Sequence, residues 1–412
     1  SAVTEKLPDL SAVTEKLPDL SAVTEKLPSL PNLNNSTLIE TLKSNVSQYK
    51  KLIGLFVSIF IFIIISYFIS ENYRIKLVLD DMNVYDSMMV ITNSDFSDKN
   101  KEQYKLSDYY IASSFRSVIG KNQLLDYCST RILQKTLKNG ARFIWLDVFN
   151  SDLSETPSPI VGNGYKEGNW NLCLNTLTFD KCCKVIASTA FTNGKVNNPK
   201  DPLILGLNLN TQSNLHSLKK MKNSIMKHLG HKLMDVHYGY NKVNFGEVLM
   251  EKIKGKLLIF TSDGFKGSDL EELVNYSWDN KNMKQLVYKS IDPNVKVTEY
   301  VKSNLESLRQ FNTTNLTIVT PDPKTLYTRQ YEPKYSWNNG CQFVSMYYQK
   351  VDKFMEQHVD KFKNNSFVLK PKNLRKSVLK QPPRAKLLGM GGSKEDNGEK
   401  EKSFSKCPIV SN

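Results

Sequence analysis

Leu52 to Ile69 reads LIGLFVSIFIFIIISYFI, an unbroken apolar stretch with no charged side chain and only Ser58 and Ser66 as small polar residues. At about 1.5 Å of rise per residue, a helix of this length nearly spans the hydrocarbon core of a bilayer. A helix buried in a globular core keeps a polar face, and this stretch has none. About fifty residues precede it and no small-residue cleavage site follows, which argues against a cleaved signal peptide. The expectation is one transmembrane helix over residues 50–70, in contact with lipid through Leu52 to Ile69. Lys43, Lys50 and Lys51 stand before it and Arg74 and Lys76 after it, too small a difference in positive charge to set the topology.

On either side of this helix the chain divides by composition. Three decapeptides, SAVTEKLPDL twice and SAVTEKLPSL once, open the sequence, each with a proline that interrupts helix. So polar a unit cannot bury a core, and residues 1–49 read as a disordered repeat arm. Residues 71–106 read as a linker, 107–375 as the folded domain, and 376–412 as a basic disordered tail. The net charge of +15, from 56 Lys+Arg against 41 Asp+Glu, favours phosphate-rich partners. Lys370, Lys372, Arg375, Lys376, Lys380, Arg384 and Lys386 follow one another without an acidic residue. Held near a bilayer, such a run gains about 1 kcal/mol per charge from anionic lipid. Anionic lipid through Lys370 to Lys386 is therefore the expected partner ahead of nucleic acid, whose binding would depend steeply on salt. Protein partners in a structural assembly are a further expectation.

Cys128, Cys173, Cys182, Cys183, Cys341 and Cys407 form no C-x-x-C pair and suggest neither a zinc knuckle nor a disulfide framework. His228, His231 and His237 are spaced like ligands, but no cysteine or paired carboxylate completes a metal site. Sequons at Asn275, Asn312, Asn315 and Asn364 are usable only if the folded part is luminal. The Lys/Asn-heavy composition, common in AT-rich genomes, admits a virion-membrane or capsid-associated role.

From about Ser107, short apolar runs alternate with longer helix-compatible stretches: FIWLDVF (Phe143 to Phe149), PLILGLNL (Pro202 to Leu209), KLLIF (Lys256 to Phe260) and LTIVT (Leu316 to Thr320). Continuous apolar runs of this length suit strands buried on both faces, as in parallel α/β folds. The length fits a (β/α)8 barrel, and no G-x-G-x-x-G follows the first strand to favour a doubly wound sheet.

Five segments together resemble the X and Y halves of phosphoinositide-specific phospholipase C. YYIASSFRSVIGKNQL (Tyr109 to Leu124) matches Y-F-I-x-S-S-H-N-T-Y. LKNGARFIWLDVFN (Leu137 to Asn150) matches G-C-R-x-x-E-L-D-x-W, and PIVGNGY (Pro159 to Tyr165) matches P-x-x-x-H-G. LYTRQYEPKYSWNNGCQFVSMYYQ (Leu326 to Gln349) and SFVLKPKNLR (Ser366 to Arg375) carry W-N-x-G-C-Q and L-K-P of the Y half. The resemblance implies a barrel with its site at the C-terminal ends of the strands.

It also implies a chemistry, and this sequence departs from it. Two histidines handle the phosphate and the leaving-group proton in that family, while calcium held by Asn, Glu, Asp and Glu activates the attacking hydroxyl. Phe115 and Asn163 stand at the histidine positions, and Arg116, Trp145, Asp147 and Asn208 at the calcium positions. One carboxylate of three remains, so no calcium and no other cofactor is expected, and Arg116 is expected to pair with Asp147. Phe260 and Ser262 replace two substrate lysines, whereas Arg329 and Tyr331 match S-R-x-Y and remain candidates for phosphate binding. Trp337, Asn338, Gly340 and Gln342 are assigned to barrel closure. The reading is a membrane-anchored phospholipase C-like pseudoenzyme serving as a binding or structural module. Its rival is an active phosphatidylinositol or glycerophosphodiester phosphodiesterase using other residues.

Overall fold

The computed structural model describes residues 35–96, 104–123, 125–165, 170–292, 304–322 and 329–376. The decapeptide repeats and the tail beyond 376 lie outside the described residues. Eight strands form the wall of a barrel: β1 (Tyr109–Ser114), β2 (Phe143–Asn150), β7 (Leu203–Asn210), β8 (Leu257–Thr261), β9 (Tyr276–Ser277), β10 (Met283–Val287), β11 (Leu316–Thr320) and β12 (Phe343–Met346). They follow the order β10-β11-β12-β1-β2-β7-β8-β9, and every neighbouring pair is parallel. No ladder joins β9 to β10 among the described residues, so the barrel is nearly closed. Short antiparallel strands decorate it: β3 (Pro159–Val161) extends β2 and pairs in turn with β6 (Leu177–Thr178), and β13 (Phe367–Leu369) pairs with β1. A two-residue hairpin, β4 (Gly164–Tyr165) with β5 (Trp170–Asn171), lies apart.

The runs LILGLNLN and FIWLDVFN become β7 and β2, paired over seven residues from Phe143 opposite Ile204 to Phe149 opposite Asn210. Every residue of β2, β8 and β11 is buried. One alternate set faces the barrel interior, where Phe143 meets Phe343 at 5.0 Å between ring centroids and Phe260 meets Tyr276 at 5.5 Å. A glycine makes room for this aromatic filling: a Cβ on Gly206 would stand 2.6 Å from the Phe143 ring. The other set packs outward under α2 (Thr130–Lys138), α3 (Phe179–Ala190) and α4 (Leu215–Leu229), each started by a side-chain cap from Ser129, Thr178 and Asn214.

One helix differs in extent from the sequence expectation. α1 runs without interruption from Asn35 to Asn83, through the apolar stretch, into residues assigned to the arm before it and the linker after it. Within its last turns Ile75, Val78 and Met82, with Tyr85 beyond, are buried against the barrel flank beside α2. That spacing of three to four residues is one apolar face of a helix. Arg74 Nη1 donates to Leu125 O at 3.1 Å, Asn175 Nδ2 to Glu71 Oε1 at 3.2 Å, and Asn139 Nδ2 to Met82 O at 3.1 Å. Residues 91–96 of the linker also pack on the domain: Ile91 and Phe96 are buried, and Ser94 binds Asp201 through both its N–H (2.8 Å) and its hydroxyl (3.0 Å).

The barrel floor, at the N-terminal ends of the strands, is held by the Y-half signature. Gln342 Nε2 donates to the carbonyls of Ser107 (3.2 Å), Asn312 (2.9 Å) and Asn315 (2.9 Å). Lys370 is 1% exposed, with Nζ donating to Asn312 O at 3.0 Å. It therefore leaves the basic stretch expected to meet lipid, because its ammonium is committed to the floor. Arg375 stacks over Tyr104, Lys376 pairs with Glu247 at 3.6 Å, and the cations from Lys380 onward lie outside the described residues.

Two measurements test this packing. Met82→Ala should lower the unfolding free energy by about 2–5 kcal/mol, read by denaturant titration. Burial holds the Lys370 ammonium down to about 7, so between that pH and the ordinary lysine range the unfolded chain binds more protons than the folded one. Stability should rise as pH goes from 7 to about 10, and Lys370→Met should flatten that rise.

Candidate active site

The mouth lies where β1, β2 and β7 end. At the turn after β1 the chain enters the left-handed region at Arg116 (φ 48°), aiming its guanidinium inward over the end of β2. Arg116 Nε donates to Asp147 Oδ2 at 3.1 Å, both side chains being almost wholly buried (2% and 4% exposed). The other carboxylate oxygen accepts the Trp145 indole N–H at 2.9 Å and the Asn208 amide at 2.7 Å. Arg116 Nη1 donates to Gln123 Oε1 at 3.3 Å, and its carbonyl accepts from Gln349 Nε2 at 3.1 Å. The Asp147 carboxylate is thus enclosed by one guanidinium and two neutral donors.

Aromatic rings close the space beneath. Phe115 packs on Trp145 at 5.5 Å, and Trp145 stacks on Trp278 at 4.9 Å with ring planes 17° apart. Phe115 and Trp145 have no exposed surface. Asn163 is also buried; its Nδ2 donates to Gln123 O at 2.9 Å, and its Oδ1 finds no partner. Phenyl and amide groups accept no proton near neutral pH.

The structure therefore brings together Phe115, Arg116, Trp145, Asp147, Asn163 and Asn208, and it separates Tyr331 from them. That ring is buried in the wall, stacked on Tyr288 at 4.7 Å, with its hydroxyl at 3.1 Å from Val319 O and 3.0 Å from Ser345 O. A phenol donating to strand carbonyls serves the wall and is not presented to a phosphate, so its assignment as a phosphate ligand is corrected. Arg329 is exposed at the rim. Gln123, Trp278 and Gln349 complete the network without a sequence signal. Gln123 sits in an irregular loop at φ 61°, and the two others reach the mouth only through barrel closure.

A calcium ion does not fit this donor set. Calcium takes six to eight oxygens, several of them carboxylate. Of the residues at the four calcium positions, Arg116, Trp145, Asp147 and Asn208, only Asp147 is a carboxylate, and a guanidinium occupies one of its oxygens. Among the described residues no group of three His, Cys, Asp or Glu gathers as metal ligands. His228 pairs with Asp180 at 2.9 Å, His237 with Asp235 at 3.1 Å, and His358 is buried beside the Tyr348 hydroxyl at 3.0 Å, so the three stand apart from Asp147.

An eight-stranded, mainly parallel barrel with this mouth defines a phospholipase C-like α/β domain, and sequence comparison is specific. Residues 103–263 match the X domain of phosphatidylinositol-specific phospholipase C and residues 271–373 match its Y domain; the chain belongs to this family. Among solved structures, PLC21 of L. pealei is 19% identical with a TM-score of 0.54, over 70% of this chain and 39% of that one. PLC21 of S. officinalis is 20% identical, also at 0.54, over 66% and 38%. The chain thus spans less than two fifths of those proteins, and at these identities the likeness is one of fold. Comparison with curated proteins finds no match.

Asp147→Ala should destabilise the domain by about 3–5 kcal/mol, since it strips a buried guanidinium of its carboxylate. Asp147→Asn, which keeps two acceptor-side contacts, should cost less. Thermal melts of both variants check the order.

Proposed function

We propose that this chain is a membrane-anchored, non-catalytic phospholipase C-like module that uses its barrel for binding or structural assembly. The observation that carries the reading is the buried Arg116–Asp147 pair, flanked by Phe115 and Asn163 where the family chemistry needs proton carriers. Losing a general acid or base costs about 10²- to 10⁴-fold each, and here both are replaced.

Membrane attachment is supported by α1. Its 35 residues from Tyr49 to Asn83 include the stretch long and apolar enough to span a bilayer, and none of that window is buried. The helix also sets an orientation. Its Tyr67 meets Tyr127 (5.7 Å) and Leu174 O (3.4 Å), in loops at the mouth, while Met82 meets Asn139, just before β2 at the floor. The apolar stretch therefore projects beyond the mouth, which on this reading turns the rim, with exposed Leu125, Leu153 and Leu174, toward lipid.

The test is phosphodiesterase activity of the full chain reconstituted in phosphatidylinositol-containing vesicles with calcium. The expected result is no release of inositol phosphate above a protein-free control. Calcium-dependent release abolished by Asp147→Ala would sink the reading.

A further inference from the structure

Two mouth segments are lashed together more tightly than their lack of regular structure suggests. Leu125 N–H donates to Leu172 O and Leu174 N–H to Asp126 O, each at 3.0 Å. Asn175 clamps the end of the pair: its Oδ1 accepts from Cys128 N–H at 2.6 Å, and its Nδ2 donates to Cys128 O at 3.1 Å. These bonds bring the thiols of Cys128 and Cys173 into hydrogen-bond contact although the two stand 45 positions apart in the chain.

The two sulfurs are not equivalent. Cys128 is 1% exposed, whereas Cys173 is half-buried, and its Sγ accepts the Asn163 backbone N–H at 3.1 Å. The Cys128 thiol donating to it, that backbone N–H and the nearby Arg116 charge hold the Cys173 thiol below the ordinary range, and acceptance by Cys173 together with burial pushes Cys128 up. The other described cysteines, Cys182, Cys183 and Cys341, are wholly buried, and burial raises their thiols. A partly exposed thiol held low beside a shielded partner thiol is the arrangement of an oxidisable pair.

We infer that Cys128 and Cys173 form a reversible disulfide at the barrel mouth, with Cys173 as the attacking sulfur, Cys128 as the resolving one and hydrogen peroxide as oxidant. The Cys173 thiolate attacks one peroxide oxygen, the O–O bond breaks, and the departing hydroxide takes up a proton, leaving a sulfenic acid and one water. Cys128 sulfur then attacks the sulfenic sulfur; the S–O bond breaks, and its hydroxide leaves as a second water with the Cys128 proton. Two thiols are oxidised and one peroxide is reduced. The bond would fasten together the segments on which α1 rests through Leu125, Leu174 and Asn175. It rests on geometry independent of whether the barrel is catalytic.

The full chain, purified in detergent with reductant and then freed of it, is titrated with hydrogen peroxide. Free thiols are blocked under denaturing conditions, and the unreduced digest is read by mass spectrometry. The expected result is a peptide pair joined through Cys128 and Cys173, a loss of two thiols per chain, and recovery of both with dithiothreitol. In Cys128→Ser the intermediate should persist and be trapped by dimedone at Cys173. Wild-type protein in which both thiols survive, or in which Cys173 runs on to sulfinic acid without the cross-link, would overturn the proposal. Because the decisive readout is on the wild-type chain, it does not depend on the variant folding.

Discussion

The mouth of this barrel is organised by one buried charge pair. Withdrawing a carboxylate and a guanidinium from water costs several kcal/mol per ion, and the pair recovers this only with good geometry and further hydrogen bonds. Both conditions hold: Asp147 receives Arg116, Trp145 and Asn208, and Arg116 also reaches Gln123. The carboxylate is neutralised from within, by a guanidinium, an indole and an amide. Phe115 and Trp145 can then fill the mouth with rings. Trp145 does both, donating its indole N–H to the carboxylate and packing its ring on Phe115.

A second constraint is mechanical. α1 is continuous from the apolar stretch into Ile75, Val78 and Met82, and it carries no proline in that span. Burying these side chains fixes the barrel to the helix at two levels, Tyr67 to Arg74 near the mouth and Met82 near the floor. A flexible tether would leave the barrel free to tumble. A docked helix gives it one orientation relative to whatever surrounds residues 52–69.

How much of this was legible in the sequence depended on what kind of signal each part leaves. The strands were readable because burial on both faces leaves unbroken apolar runs, as in Phe143 to Phe149. The mouth positions were readable because a motif fixes them by spacing. The end of α1 was not: Glu71, Arg74 and Lys76 mark where the charges begin, and they mask the sparser apolar spacing of Ile75, Val78 and Met82. A motif match placed Tyr331 at the site although its hydroxyl is used by the wall, and composition placed Lys370 among tail cations although its ammonium is spent on the floor. Gln123 and Gln349 leave no local signal, since their partners are set by loop shape and barrel closure.

The family signature itself divides along the barrel axis. Most of what this chain keeps of it lies at the floor, Asp147 and Arg329 apart: Arg142, wholly buried, donates to Ala190 O at 2.9 Å and Asn198 O at 2.6 Å; Gln342 gathers three carbonyls; Lys370 holds Asn312. What it lacks lies at the mouth, at Phe115, Trp145, Asn163 and Asn208. In barrels of this kind the floor serves stability and the mouth serves chemistry. Floor residues satisfy backbone groups that would otherwise be buried without partners, and losing one would be costly whatever the protein does. Mouth residues answer instead to what the barrel holds there, and in this chain that is a buried ion pair under packed rings, on a floor that keeps the family pattern.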